Sequence, residues 1–108
     1  MSRAQREKGK AAEREVANVF KAAGIAARRT APMQSQNGAP EADVEVALPN
    51  THLEVKRQET IKIEAWCRQA EGEAPPGASA VVVWRRSAQP WRVTLTLDDY
   101  IELRKRAG

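Results

Sequence analysis

Cysteine is all but missing from this chain. Cys67 stands alone, which excludes a disulfide framework and a thiolate metal cluster, and it reads as a small residue inside a helical pattern. No apolar run approaches the roughly 18–20 residues of a membrane span, and no signal-peptide core follows the charged opening MSRAQREKGK. These absences predict a protein of the cytoplasm with no membrane partner. Internal repeats are missing too. With 108 residues, 42% of them hydrophobic, there is material for one modest core and none for a second, so residues 1–108 are expected to form a single domain.

Negative charge is the scarcer sign: 14 Asp and Glu stand against 18 Lys and Arg, a balance that favours a polyanionic partner. Cations gather in SRAQREKGK, AARR, VKR, VVVWRR and LRKRAG, while acids concentrate in EADVEVA and EGE. An acidic island in a basic chain calls for a chemical reason.

From Arg6 to Ala23 the residues Ala12, Val16, Val19, Phe20 and Ala23 recur at helical spacing, and Gly24 is a natural stop. Glu13 falls at the edge of this apolar stripe and so faces partly inward. IAARRT (25–30) predicts a short strand and APMQSQNGAP (31–40) a flexible loop. EADVEVAL (41–48) and THLEVKR (51–57) both alternate, which predicts a hairpin turning at Pro49-Asn50. IKIEAWCRQAEGE carries a second helix, ASAVVVWRR (78–86) an interior strand, and WRVTLTL (91–97) another. Thr96 and Asp99 have capping-box spacing and open a last helix. The order αβββαββα predicts an α/β unit with a mixed central sheet flanked by helices.

A two-residue turn at Pro49-Asn50 sets Leu48 opposite Thr51, Glu45 opposite Glu54 and Asp43 opposite Lys56, all four of the charged residues on one face. Slippage would scramble those pairs. Two carboxylates facing each other are unfavourable unless a cation intervenes. An exposed charged hairpin would also alternate in this way, yet it accounts for neither that pair nor the position of Glu13.

Asp43, then Glu54-Val55-Lys56, with Glu13 on the preceding helix, resembles the signature of the PD-(D/E)XK nuclease superfamily. Within it, KGKAAERE, EADV, HLEVKR and AWCRQA look most like the archaeal-type Holliday-junction resolvases and their phage-encoded relatives. The resemblance covers nearly the whole chain and implies a restriction-endonuclease-like core. It also implies a metal-dependent DNA endonuclease acting on branched DNA as a homodimer, in the host cytoplasm if phage-encoded. Asp43, Glu54, the Val55 carbonyl and Glu13 would hold Mg²⁺, with Mn²⁺ able to substitute. Ala42 stands where the superfamily is named for proline, so Glu41 and Glu45 remain competitors of Asp43.

The chemistry agrees with that resemblance. Hydrolysing a phosphodiester needs a placed water and neutralisation of growing charge, and hard oxygen donors suit Mg²⁺ or Mn²⁺ better than zinc. Lys56, on the face of Glu54, can orient or help deprotonate the water. Lys8, Lys10, Arg28, Arg29, Arg57, Arg85 and Arg86 are candidate phosphate contacts, and Gln69 resembles a glutamine that many superfamily members place near the site. His52 shares the active face but lies toward the turn, and a catalytic role is not expected of it. The apolar run Val81-Val82-Val83-Trp84 with Trp91 is expected to supply part of a dimer contact. The competing functions are a flap or other structure-specific nuclease and a DNA-binding module with a decayed site.

Overall fold

A computed structural model describes residues 3–30 and 42–107. The expected loop at 31–40 and the competitor Glu41 lie outside the described residues. The elements follow in the order α1 (Arg3–Ala22), β1 (Ala27–Arg29), β2 (Val44–Val46), β3 (Thr51–Arg57), α2 (Ile63–Glu73), β4 (Ser79–Arg85), β5 (Arg92–Thr94) and α3 (Leu97–Ala107). This is the αβββαββα order that the periodicities predict.

α1 stops for a local reason. Gly24 has φ +85°, the Ile25 amide donates to the Phe20 carbonyl and the Gly24 amide to that of Lys21, both at 3.0 Å, which is the Schellman closure of a helix end. Nothing would crowd a Cβ at Gly24, so glycine serves the backbone angle and not the packing. At the other end of the chain Thr96 Oγ1 accepts from the Asp99 amide at 3.1 Å, as the capping-box spacing predicts.

The sheet runs β1-β2-β3-β4-β5. β3 and β4 are parallel with α2 as the crossover, and the other pairs are antiparallel. α1 covers one face, burying Ala12, Val16 and Ala17 against Val44, Leu53, Val55 and Val83. α2 covers the other with Trp66 and Ala70 on Ala80 and Val82. Trp66 also meets Trp84 with ring centroids 6.4 Å apart; a buried tryptophan of this kind costs about 3–5 kcal/mol when truncated. The run 81–84 is therefore consumed inside the protein: Val82 and Val83 are buried, while Val81 and Trp84 pack at the margins of the two clusters. A dimer contact there is corrected. Most of the exposed large hydrophobic residues lie instead on β5 and α3, at Val93, Leu97, Tyr100, Ile101 and Leu103, with Val19 on α1 and Leu48 in the hairpin connection besides.

The hairpin register also differs from expectation. Val44 pairs with Leu53, whereas a turn centred on Pro49-Asn50 would have set it opposite Val55, two residues further along β3. A two-residue hairpin turn requires a positive φ at its first position, which proline cannot adopt. The connection accordingly lengthens to Ala47–Asn50, with Asn50 at φ 54° and the Ala47 amide bonded back to Ala26. A shift of two preserves the face of every side chain and changes its partner.

Arg85, Glu15 and Trp91 tie β4 and the loop after it to α1. Trp91 Nε1 donates to Glu15 Oε1 at 2.7 Å, Arg85 donates to both Glu15 oxygens, and the guanidinium lies 5.0 Å from the Trp91 ring centre. Partial burial pushes the Glu15 carboxyl up, but the bonds from Arg85 and Trp91 prevail and hold it below its ordinary value. A depressed carboxylate contributes stability that is present above its unfolded value of 4.5 and lost as pH falls through the folded one. Thermal melts from neutral to acid pH should thus show a shallower acid loss for Glu15→Gln than for the native chain; parallel curves would count against it.

Candidate active site

β3 projects His52, Glu54 and Lys56 toward α2, and Leu53 and Val55 toward α1. Asp43 stands just before β2. Its amide donates to the Leu53 carbonyl at 3.0 Å, and its Oδ2 accepts from the Val55 amide at 2.8 Å. Asp43 is thereby pinned beside Glu54, where the expected register had put Lys56. Glu45 is released from Glu54 altogether and instead meets Arg28 across β1 and β2 in an exposed ion pair.

Glu13 reaches the same region from α1. It accepts from Arg29 Nε at 2.8 Å, both side chains being about four-fifths buried. Its carboxyl is raised by burial and then by the charge of Asp43, with Arg29 opposing. On the other side Lys56 Nζ donates to Gln69 Oε1 at 2.8 Å, and Gln69 Nε2 donates on to Glu73 Oε1 at 3.4 Å.

Glu54 is 2% exposed. Burial, then a hydrogen bond with Glu73 and the nearness of Asp43, push its carboxyl far above the ordinary range, while that same bond lowers Glu73. The pair holds its proton on Glu54. His52, 4% exposed, sets Nε2 2.9 Å from Glu54 Oε1, and burial lowers its pKa, keeping the imidazole neutral. Among the described residues no buried polar side-chain atom lacks a partner.

An open cleft of about 820 Å³ joins these groups. Glu13, Asp43, Glu54, Val55 and Lys56 line it, and Lys8, Lys10, Arg29, Arg57 and Gln69 surround them. Of the candidate phosphate contacts, Arg28, Arg85 and Arg86 do not line this cleft, and Arg85 is bonded to Glu15 instead. Sequence reasoning missed Glu73 and gave His52 no part. Each had a signal: His52 lies two residues from Glu54 on one strand face, and Glu73 lies one helical turn beyond Gln69.

The donor set fits a hard divalent cation. Three carboxylates, two of them raised because burial and like charge disfavour ionisation, converge with Arg29 bonded to one of them, and a dication would relieve both penalties.

The family model for the archaeal Holliday junction resolvases (hjc) matches residues 4–106. Among solved structures, a Holliday junction resolvase of the archaeal hyperthermophile Archaeoglobus fulgidus has the same fold, at 24% identity and TM-score 0.53, over 77% of this chain and 72% of that one. No curated protein matches the chain. No helix among the described residues is long and apolar enough to cross a membrane.

Proposed function

The chain belongs to the archaeal Holliday junction resolvase family, and from that premise we propose that it is a Mg²⁺-dependent endodeoxyribonuclease that nicks four-way DNA junctions by direct hydrolysis. The observation that carries this reading is the convergence of Asp43, Glu54 and Lys56 on one cleft with a basic wall. Asp43, Glu54, the Val55 carbonyl and Glu13 would hold the cation, which supplies charge neutralisation and a more acidic water when bound. Lys56, steadied by Gln69, orients that water and offsets charge on the phosphate. Arg29 holds Glu13 in place. Lys8, Lys10 and Arg57 follow the DNA backbone, so binding weakens steeply with salt and reads the shape of the junction more than its bases. In this reading residues 1–108 are one nuclease domain working in the cytoplasm.

Resolution requires two symmetric nicks, and the described residues bring the three acids and Lys56 together in a single cleft, so the acting form is a two-fold dimer. The exposed stripe Leu97, Tyr100 and Ile101 on α3 and the exposed Val93 on edge strand β5 are apolar surface that a second copy would cover. Light scattering at micromolar concentration should give a dimer, and Ile101→Glu a monomer. In parallel, a labelled four-way junction, a flap and a linear duplex with and without Mg²⁺ should show paired nicks on the junction alone. A monomeric native chain, or a lone nick confined to flaps, would favour a flap nuclease; metal-independent binding without cleavage would favour a binding module.

A further inference from the structure

We propose that His52, Glu54 and Glu73 form a second divalent-metal position, selective for a transition ion such as Mn²⁺, Co²⁺ or Zn²⁺ and sharing Glu54 with the position at Asp43. Each residue offers one ligand atom, and the three atoms lie within 4.8 Å of one another. His52 Nε2 and Glu54 Oε1 are already 2.9 Å apart. An ion about 2.1 Å from each would subtend roughly 90° between them, the cis angle of an octahedral centre. The first two ligands therefore need little movement, and water can complete the shell on the side of half-buried Glu73.

The imidazole sets the selectivity. A position ringed by oxygen alone suits Mg²⁺, whereas a neutral histidine nitrogen beside two carboxylates favours the later first-row metals. A buried histidine–glutamate pair could be satisfied by itself. A second carboxylate from another element is what such a pair does not require, and Glu73 comes from the last turn of α2 to meet Glu54. Its orientation is held from outside by Gln69 Nε2, as ligating carboxylates are held in metal sites. Gln69 is also the partner of Lys56, so an ion here would be linked through one amide side chain to the proposed water-orienting lysine.

The proposal shares Glu54 with the reading above but not its chemistry, and metal binding to the whole chain without DNA tests it. Co²⁺ titration followed by visible absorption and calorimetry should show two ions per chain in the native protein. Glu73→Gln and His52→Asn should each weaken one of them by at least about tenfold and leave Mg²⁺ binding unchanged, while Asp43→Asn should spare that ion. Glu73 is half-buried and its variant is isosteric, so it decides the matter even if His52→Asn does not fold. A single Co²⁺ lost in Asp43→Asn and unmoved by Glu73→Gln would overturn the second position and leave the Asp43 position standing. No Co²⁺ or Mg²⁺ bound at all would overturn both.

Discussion

Lys56→Ala is expected to lower the rate of junction cleavage by about two to four orders of magnitude, the range for loss of a positioned proton-transfer or charge-stabilising group. The fold should survive. Lys56 is half-buried at the cleft and its one hydrogen bond among the described residues goes to the exposed Gln69, whose amide regains water when the lysine is gone, so stability should change by no more than about 0.5 kcal/mol. Binding should also persist, because Lys8, Lys10, Arg29 and Arg57 remain around the cleft. Single-turnover cleavage, paired with a gel-shift on the same junction, separates the two effects. A fall confined to binding would make Lys56 another phosphate contact, and unchanged cleavage would remove it from the chemistry. Lys56→Arg should rescue little, since a planar fork cannot take the place of a compact ammonium at a single water.

Asp43→Asn is expected to abolish both cleavage and most of the stabilisation that Mg²⁺ confers. An ion that binds only the folded chain stabilises it by roughly 2.7 kcal/mol at a hundred times its dissociation constant, which is about 10 °C or more in a domain of this size. Asparagine preserves the volume, and its carbonyl can still accept from the Val55 amide as Asp43 Oδ2 does at 2.8 Å. The ion-free melting temperature should therefore hold or rise, because removing the negative charge of Asp43 relieves its repulsion of Glu13. Thermal melts with and without Mg²⁺ read the difference. An undiminished metal response in Asp43→Asn would pass the ligand role to Glu41, since Glu45 is engaged by Arg28 at the exposed edge of the sheet.

What the amino-acid order determined by itself is whatever depends on local period. Helical spacing places Ala12, Val16 and Phe20 on one stripe and Glu13 at its edge, and the structure keeps Glu13 four-fifths buried there. Alternation puts Glu54 and Lys56 on one face of β3 whatever strand lies beside it, because a two-residue period survives any even shift. The unbroken run Val81–Val83 announces an interior strand, and β4 lies between β3 and β5. Even the family could be read from Asp43, Glu54-Val55-Lys56 and KGKAAERE.

The tertiary structure alone decided which residues meet across elements. Pro49 excludes the tight turn, the register moves by two, and Glu54 acquires Asp43 as its neighbour in place of Glu45. Arg28 and Arg29 are adjacent in the chain but point to opposite faces of β1, so one is spent on Glu45 and the other reaches Glu13 in the cleft. Glu73 meets Glu54, and Gln69 meets Lys56, only because α2 crosses back over β3 at one particular height. No period encodes that height. It follows from Trp66 and Ala70 settling on Ala80 and Val82, a packing solution that exists only once helix and sheet are brought together.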